Sequence, residues 1–239
     1  MGVAASVDFR SVSVEPILHD IDLHIGAGEA VAFIGRSGAG KTTTLRLVNG
    51  LVKPTSGEVF VDGAPLSSAD LIALRRRTGY IIQGSGLFPH RTVYRNIATV
   101  PRLLGWPDSQ IRAAAEEILA KLDLPLGKFG DRYPRSLSGG EQQRVGIARA
   151  MIANPSILLC DEPFGALDPI VRRDLQDAFV ALRSGVTIIF VTHDVAEALH
   201  VTQRIVLFDG GRVVVDCPAA QFPAQRLPLV QHFVEAARI

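Results

Sequence analysis

The sequence predicts an α/β protein whose core is a mainly parallel sheet covered by helices. Short apolar runs typical of buried strands alternate with segments of helical periodicity. One of these runs enters a glycine-rich turn that leads into a helix-compatible segment, and the strand signal disappears between about Gly84 and Pro155. The chain has 239 residues, 47% of them apolar, which is enough for a sizeable core. This composition argues against a disordered or fibrous protein.

The N-terminal thirty residues alternate apolar and polar side chains, as in Val7 and Phe9. Period-two alternation is typical of strands with one buried face, so we expect an N-terminal antiparallel subsheet. The continuous apolar run Val31–Ile34 then precedes the glycine-rich turn, and residues 41–49 are helix-compatible. Strand, loop and helix are thus predicted to follow in that order.

Later elements follow the same logic. Further buried strands are predicted at Tyr80–Ile82, Ile157–Cys160, Val186–Val191 and Arg204–Phe208. Between residues 84 and 155 apolar side chains fall on one helical face, which predicts a helical subdomain inserted into a single domain of residues 1–239. The members of this apolar stripe are Ile111, Ala115, Ile118, Leu119 and Leu122. Gly210-Gly211 predicts a hairpin turn, and a short helix is expected from about Pro228.

Composition limits the function classes. Lys plus Arg (25) nearly balance Asp plus Glu (24), so no global basic field attracts nucleic acid. Cys160 and Cys217 are too few for a disulfide framework and form no metal-ligand pattern with the six histidines, which favours a reducing cytosol. No stretch approaches the roughly 18 apolar residues of a membrane span, so any membrane association is expected to be peripheral.

A phosphate-binding loop is predicted after the strand at residues 31–34. The segment matches G-x-x-x-x-G-K-[ST], and a chance match to that pattern is expected in about one chain in a hundred. Its position between a strand and a helix makes chance a weaker explanation than nucleotide binding. The backbone would curl around phosphates, Lys41 would reach the β- and γ-phosphates of ATP, and Thr42 would ligate Mg²⁺. The predicted nucleotide-binding residues are Gly35, Arg36, Ser37, Gly38, Ala39, Gly40, Lys41, Thr42 and Thr43.

Two carboxylates, Asp161 and Glu162, follow the predicted strand Ile157–Cys160. In α/β sheets, ligands bind at the carboxyl ends of strands. Asp161 is predicted to hold the Mg²⁺ shell, and Glu162 to orient or deprotonate the attacking water. Taken alone, an Asp-Glu pair before a turn is equally well explained as structural. Together with the phosphate loop it predicts a hydrolysis site.

The segment Leu137-Ser-Gly-Gly-Glu-Gln142 resembles the signature sequence of ABC (ATP-binding cassette) transporter nucleotide-binding subunits. A helix N-cap by Ser138 is an equally sound structural interpretation, and both can hold. The resemblance implies a dimer with two nucleotides sandwiched between its two copies, each nucleotide contacted in trans by the signature of the other copy. The residues implied in that contact are Ser138, Gly139, Gly140 and Glu141.

The remaining landmarks follow in the family's order, and the resemblance runs from about Val7 to Gly211. It implies that Gln83 contacts Mg²⁺ and water, that Asp168 belongs to the D-loop, which lies between the two copies of a dimer, and that His193 contacts the γ-phosphate. A single Gln or His at a strand end is more often structural, but the joint order favours the catalytic assignment.

One feature departs from the family pattern. Members usually carry an aromatic residue shortly before the second strand, where it stacks on adenine, whereas Val12-Ser-Val-Glu-Pro16 contains none. Phe9 is the nearest aromatic residue, and its alternation with Val7 predicts that it faces the core. We therefore expect a weaker base preference than usual.

A single phosphate loop without fused membrane spans or sustained heptads is typical of a stand-alone importer cassette. The resemblance implies permease subunits and a solute-binding protein as partners, and a place at the cytoplasmic face of the inner membrane. The permease contact is expected near Gln83 in a groove at Leu87, Phe88, Pro89 and His90. Packing within the helical subdomain explains that apolar cluster as well.

The solute follows from resemblance alone. Four segments are similar to the cassettes of osmoprotectant importers for glycine betaine, carnitine, choline or proline: Gly79–Gln83, Gly86–His90, Asn96–Pro101 and Asp161–Pro169. A methionine-type amino-acid importer shares every catalytic motif, and a nucleic-acid-linked ABC ATPase is a third alternative. We expect no C-terminal pair of CBS regulatory domains, which many osmoprotectant cassettes carry.

Overall fold

A computed structural model describes residues 3–165, 167–183 and 185–237. Its strands, in chain order, are β1 Val7–Val14, β2 Leu18–Ile25, β3 Ala30–Gly35, β4 Ser56–Val61, β5 Ala64–Pro65, β6 Thr78–Ile81, β7 Ile157–Asp161, β8 Thr187–Val191, β9 Arg204–Asp209 and β10 Arg212–Pro218. Its α-helices are α1 Lys41–Val48, α2 Leu71–Arg76, α3 Val93–Ile97, α4 Thr99–Leu103, α5 Asp108–Ala120, α6 Leu126–Phe129, α7 Gly139–Met151, α8 Pro169–Leu182, α9 Val195–Val201 and α10 Pro228–Ala237.

The chain divides into two compact units. The first, called here the helical unit, consists of the described residues within Met1–Val3 and Arg75–Val186. The second, called the phosphate-loop unit, consists of the described residues within Ala4–Leu74 and Thr187–Ile239. No helix of the described residues has the length and apolar character needed to cross a bilayer.

The phosphate-loop unit contains the predicted antiparallel subsheet. Its strands lie in the order β2-β1-β4-β5, and β1 pairs with β2 in a register that sets Val7 opposite Ile25 and Phe9 opposite Leu23. Val7, Phe9, Leu23 and Ile25 are all buried. Since alternate residues of a strand point to opposite faces, the apolar alternation of the sequence forms one buried face. The prediction for this segment is confirmed.

The same unit holds parallel strands, with β3 between β8 and β9. Every residue of β3 and β8 is buried, which explains why these strands form continuous apolar runs rather than alternating ones. Strand β10 returns antiparallel to β9 through Gly210-Gly211, where both glycines have positive φ, as a tight hairpin requires. The predicted hairpin is confirmed.

The last helix, α10, begins at Pro228 as predicted. Proline suits a first helical turn because its missing N–H would have no intrahelical partner there. Val230 and Val234 of this helix are buried in a cluster with Ala198, Leu207 and Phe222. This apolar face packs α10 onto α9 and β9.

The helical unit contains the parallel pair β6 and β7 and the helices α3 to α8. Within residues 84–155, all of which the structure describes, helices and turns occur without any strand. Four residues of the predicted apolar stripe are buried on α5, and Leu122 is buried just beyond its end. The limits of an inserted subdomain at 84 and 155, and the single-domain organisation, stay predictions.

Strand β6 differs slightly from the expected Tyr80–Ile82. It runs from Thr78 to Ile81, and the side chain of Ile82 is 39% exposed. The prediction extended the strand to Ile82 because this residue is hydrophobic, but Ile82 already lies in the loop that carries Gln83.

Candidate active site

The phosphate loop joins the end of β3 to the start of α1. Lys41, the first residue of α1, is 7% exposed. Its Nζ donates hydrogen bonds to the carbonyl oxygens of Gly35 at 2.7 Å and Arg36 at 2.9 Å. The loop therefore curls around its own lysine and holds a buried ammonium at a helix N-terminus. Cation and helix dipole together favour an anion at this point.

Glycine is required at both ends of this loop for steric reasons. Gly35 has φ 148°, and a Cβ there would lie 2.3 Å from the carbonyl oxygen of Phe208 on β9. Gly40 has φ 97°, and a Cβ there would lie 2.2 Å from a methyl group of Leu18 on β2. The loop is thus pressed between two neighbouring strands, a close approach that side chains would prevent.

The threonines after Lys41 differ in role. Thr44 is fully buried, and its hydroxyl donates to the Gly40 carbonyl at 3.0 Å. Thr42 and Thr43 are half-buried, whereas Arg36, Ser37 and Gly38 are exposed. Thr44 therefore stabilises the start of α1, while the predicted ligand residues border the loop surface.

His193 lies in the same unit, in the short turn between β8 and α9. The Thr192 hydroxyl accepts a hydrogen bond from the Asp194 N–H at 3.0 Å, and the Asp194 carboxylate caps α9 by accepting from the Glu197 N–H at 3.1 Å. These flanking bonds fix the backbone on which the exposed His193 side chain is carried. Its contact with a γ-phosphate stays a prediction.

In the helical unit, Gln83 and Glu162 meet. Gln83 Nε2 donates to Glu162 Oε2 at 3.3 Å, although 79 residues separate them in the chain. Strands β6 and β7 are parallel neighbours, so their carboxyl ends bring the two side chains to one edge. Asp161, the last residue of β7, is 6% exposed, whereas Glu162 is half-buried. An amide beside a carboxylate at a strand end can hold a water molecule by hydrogen bonds.

Glu162 has a strained backbone, with φ 47°. Left-handed φ costs a non-glycine residue about 1–2 kcal/mol, and the short polar side chains of Asn and Asp tolerate it best. The other described non-glycine residues with positive φ are Ser, Asp or Asn, so Glu162 stands apart in having a long side chain. Such strain concentrates at functional sites because it places a side chain where a relaxed backbone would not.

The signature segment begins helix α7 with a capping box. The Ser138 hydroxyl accepts from the Glu141 N–H at 3.2 Å, and Glu141 Oε2 accepts from the Ser138 N–H at 2.7 Å. The predicted N-cap role of Ser138 is confirmed, and it engages Glu141 as well. Ser138 and Gly139 are exposed at the positive end of this helix. Their contact with a nucleotide on a second copy of the chain stays a prediction.

Asp168 is likewise a helix cap. One carboxylate oxygen accepts from the N–H groups of Ile170 and Val171, both at 3.1 Å, at the start of α8. A local structural role therefore accounts for an aspartate before a proline at this position. The place of Asp168 in a D-loop between two copies of the chain stays a prediction.

The loop after Gln83 is bound to the signature helix through residues that sequence reasoning missed. The Ser85 hydroxyl donates to the side-chain oxygen of Gln142 at 3.1 Å, and Arg149 donates to the Gly86 carbonyl at 2.8 Å. Burial lowers the pKa of the Arg149 guanidinium below its ordinary value. Gln142 and Arg149 lie on one face of α7, seven residues apart, and this helical spacing is the signal in the sequence that could have identified them. The loop and α7 therefore form one bonded assembly.

The predicted permease-contact loop is shaped by a buried asparagine. Asn96, 0% exposed on α3, accepts from the Phe88 N–H at 2.7 Å and donates to the carbonyls of Phe88, Arg91 and Thr92 at 3.0–3.1 Å. The Phe88 ring, 38% exposed, lies 4.7 Å from the Arg91 guanidinium carbon. The loop is therefore preformed, with its aromatic ring at the surface.

An open cleft of about 640 Å³ lies beside this ring. Its lining is Phe88, His90, Arg91, Arg95, Thr99, Arg102 and Leu103. Leu103 is 58% exposed. The cleft thus combines apolar surface with three arginines, which is the character of a binding surface for an amphipathic segment with acidic side chains.

The candidate Mg²⁺ ligands Thr42, Gln83 and Asp161 are all oxygen donors, the type that this cation prefers. The described residues contain no cluster of three or more His, Cys, Asp or Glu side chains placed to hold a metal ion. One carboxylate and one hydroxyl fit Mg²⁺, because this ion usually takes few protein ligands and completes its shell with phosphates and water.

Comparisons with known proteins identify the family. Residues 18–165 match the ABC transporter family model. Over 199 residues the chain is 48% identical to the glycine betaine/carnitine/choline transport ATP-binding protein OpuCA of Bacillus subtilis (strain 168), covering 82% of this chain and 52% of that protein. It is 45% identical over 200 residues to the methionine import ATP-binding protein MetN of Carboxydothermus hydrogenoformans, covering 82% and 59%. The chain therefore spans little more than half the length of these relatives.

Among solved structures, the dimeric post-hydrolysis state of the ATP-binding cassette MJ0796 bound to ADP and Pi aligns with a TM-score of 0.79 and 32% identity. The alignment covers 89% of this chain and 98% of the other. Sequence and architecture thus agree on one family. The chain belongs to the ABC transporter family.

Proposed function

We propose that this chain is the ATP-hydrolysing subunit of an importer for a quaternary-amine osmoprotectant such as glycine betaine. The observation that carries the ATPase part is the phosphate loop, in which Gly35 and Arg36 hold the buried Lys41 ammonium at the N-terminus of α1. A buried cation at a helix N-terminus is suited to a polyphosphate.

Hydrolysis requires a base and a positioned water. Glu162 takes a proton from water as the water oxygen bonds to the γ-phosphorus, while the bond from that phosphorus to the bridging oxygen breaks and ADP leaves with the oxygen. Gln83, bonded to Glu162 at 3.3 Å, orients the attack. His193 contacts the γ-phosphate from the turn after β8. Thr42, Gln83 and Asp161 would hold Mg²⁺, and the charge of that ion would neutralise the phosphates. Each of these roles is part of the proposal.

Replacing Lys41 tests phosphate capture. Lys41→Ala should weaken Mg-ATP binding at least about tenfold, because a hydrogen bond to a charged group is worth about 1.5–3 kcal/mol. Lys53→Ala, an exposed lysine of the same unit, is the matched control and should bind normally. Isothermal titration calorimetry measures both, and unchanged affinity in Lys41→Ala would contradict the assignment of the loop.

We further propose that two copies close around two nucleotides, with Ser138, Gly139 and Gly140 of each copy contacting the nucleotide of the other. The exposure of Ser138 and Gly139 at the positive end of α7 supports this, since a phosphate from outside the chain can reach them there. ATP then bridges the copies and hydrolysis releases them. Glu162→Gln with Mg-ATP should elute as a dimer in size-exclusion chromatography. A purely monomeric profile at high protein and nucleotide concentrations would count against the sandwich.

The permease partner is proposed to bind the arginine-lined cleft beside Phe88. The preformed loop held by Asn96, and the direct bonding of the neighbouring segment to α7, support a contact that can transmit movement between permease and signature helix. The partner would be a short amphipathic helix with an acidic side chain. In this arrangement the chain lies at the cytoplasmic face of the membrane.

Co-purification tests that partner. An affinity-tagged chain should recover an integral membrane protein from detergent-solubilised membranes, and Arg95→Glu should reduce that recovery. Permease and loaded solute-binding protein should stimulate hydrolysis. Recovery only with ribosomes or DNA, and stimulation by nucleic acid, would replace the importer with a nucleic-acid-linked ATPase.

We infer the solute from two things: the solutes that the relatives are named for, and the resemblance of the segments near the arginine-lined cleft to osmoprotectant cassettes. Betaine uptake at high salt should be lost in a strain lacking this gene and restored by the gene, whereas Lys41→Ala should fail to restore it. Unchanged betaine uptake together with lost methionine uptake would transfer the assignment to the amino-acid alternative and leave the ATPase proposal intact.

A further inference from the structure

Another cavity, called here the β6 cavity, lies within the helical unit and is lined by residues between Arg76 and Pro155. It measures about 280 Å³, and its lining comes mainly from β6, α4, the loop after Gln83 and the end of α7. It shares Phe88 and Thr99 with the arginine-lined cleft, but its other lining residues are different. Small-molecule pockets begin at about 300 Å³, so this volume suits a compact ligand rather than a segment of another protein.

Much of the cavity wall is apolar. Phe88, Val100, Ala150 and Ala153 contribute to it. A Cβ on Gly79 of β6 would lie 2.5 Å from the Ala150 carbonyl oxygen, so the backbones of β6 and α7 are in close contact at this wall. The cavity is therefore formed by packed elements and not by mobile side chains alone.

Two arginines give the cavity its charge. Arg76 ends α2 and is exposed, whereas Arg149 lies on α7 with its guanidinium carbon 5.7 Å from the centre of the Phe88 ring. Burial lowers the pKa of Arg149, and no acidic neighbour opposes that shift. Among the ion pairs of the described residues none includes Arg76 or Arg149, and the described lining residues include no Asp or Glu. Two positive charges thus border one cavity without a carboxylate.

A charge that is removed from water is normally paired, because leaving it without a counter-charge costs free energy. We propose that the β6 cavity binds a small anion with an apolar body, of which an aryl carboxylate is the simplest example. Its carboxylate accepts hydrogen bonds from Arg76 and Arg149, and its ring packs on Phe88 and Val100. The proposal does not rest on the proposed function, since neither nucleotide nor permease takes part in it.

The occupant should also affect the neighbouring loop. Arg149 donates to the Gly86 carbonyl at 2.8 Å and to the Ser85 carbonyl at 3.5 Å. An anion bound to Arg149 stabilises the conformation in which this side chain is held, and with it the loop. Amide hydrogen exchange in residues 85–88 should therefore slow when the cavity is filled.

Three probes separate the charge from the ring: benzoate, benzamide and acetate, titrated calorimetrically without nucleotide. Benzoate should bind with a Kd of about 1 mM or lower. Benzamide lacks the charge and acetate lacks the ring, so each should bind at least about tenfold more weakly. Benzoate alone of the three should slow amide exchange in residues 85–88.

Variants locate the site. Arg76→Gln removes a charge at an exposed position and should weaken benzoate binding about tenfold. Arg112→Gln, the same change at an exposed arginine on α5, is the matched control and should bind benzoate normally. Ala153→Leu fills part of the cavity without changing its charge and should also weaken binding. Lys41→Ala should leave benzoate binding unchanged, because Lys41 belongs to the phosphate loop.

Each remaining result would overturn the site. No saturable binding of benzoate, equal affinity for benzamide, or an unchanged affinity in Arg76→Gln would remove the basis for an anion in the β6 cavity. Loss of benzoate binding in Lys41→Ala, or displacement of benzoate by Mg-ATP, would place the anion at the phosphate loop instead. None of these results bears on the proposed ATPase, which is tested by Mg-ATP binding and hydrolysis.

Discussion

Gln83 donates its side-chain amide to the Glu162 carboxylate across 3.3 Å, joining the loop after β6 to the strained residue after β7. If Glu162 is the base, Glu162→Gln should slow hydrolysis at least about tenfold, since general-base assistance is typically worth 10²–10⁴. Binding of Mg-ATP should be preserved, because the substituted amide keeps the size of the side chain. Steady-state phosphate release and calorimetry measure the two effects separately.

The control for that experiment is Glu116→Gln, an exposed glutamate on α5. It should hydrolyse ATP normally. Near-normal turnover in Glu162→Gln would move the base elsewhere, and His193→Ala would then be the next variant to measure.

Gly35 should tolerate no side chain. Gly35→Ala places a Cβ 2.3 Å from the Phe208 carbonyl oxygen, whereas Gly63→Ala, with φ 74°, meets no atom within 4 Å. Both variants carry the cost of positive φ, about 1–2 kcal/mol, and Gly35→Ala adds overpacking of about 1–3 kcal/mol. Denaturant unfolding without nucleotide should therefore show a larger loss of stability for Gly35→Ala. Equal losses in the two variants would show that the contact with β9 relaxes freely.

Arg149 should hold the loop of residues 85–88. Arg149→Ala removes the bonds to the Ser85 and Gly86 carbonyls and takes away one of the two guanidinium groups beside the Phe88 ring. We expect faster amide hydrogen exchange in residues 85–88 and a loss of stability of about 1.5–3 kcal/mol. Arg149→Lys should rescue only part of this, because a lysine cannot reproduce the planar contacts.

The control for Arg149 is Arg173→Ala on α8, where the side chain is 60% exposed and its pairing with Asp177 at 3.7 Å is weak. It should leave exchange in the loop unchanged. Exchange in residues 85–88 that is the same in Arg149→Ala and the unaltered chain would show that Ser85 and Gln142 suffice.

Both thiols should react slowly in the folded chain. Cys160 is 0% exposed and Cys217 is 8% exposed, and burial, with Asp216 nearby, raises the pKa of the Cys217 thiol. Because the pKa of the Cys217 thiol is higher in the folded chain than in the unfolded chain, the unfolded chain loses the thiol proton first as pH rises. The free energy of unfolding should therefore fall as pH rises above about 8.5, the ordinary thiol pKa. At pH 8, a disulfide reagent should label two thiols promptly in denaturant and only slowly in buffer. Prompt stoichiometric labelling of the native chain would contradict the described burial.

Local rules account for what could be predicted. The alternation of Val7 and Phe9, the continuous run of β3 and the Gly210-Gly211 turn each carry their structure within a few neighbouring residues. The phosphate loop could be predicted for the same reason, since nine consecutive residues contain its turn, its lysine and the start of its helix. The predicted N-cap at Ser138 also needs only its neighbour Glu141.

Distant pairings could not be predicted in this way. The bond between Gln83 and Glu162 joins residues 79 positions apart, and the bond between Arg149 and Gly86 joins residues 63 positions apart. Short local motifs do not specify which strand lies beside which, so these two hydrogen bonds could not be predicted from them. Only the family resemblance placed Gln83 and Glu162 at the same water molecule.

The sequence by itself determined the cassette family, the order of strand, loop and helix around the phosphate loop, and the residue types of the candidate nucleotide site, because these depend on short motifs whose chemistry is local. Only the tertiary structure decided that Gly35 and Gly40 are enclosed by Phe208 and Leu18, that Glu162 is strained, and that Phe88 stays exposed at the surface. Close approach, backbone strain and exposure are properties of packed neighbours, and those neighbours are set by strand pairing over long separations along the chain.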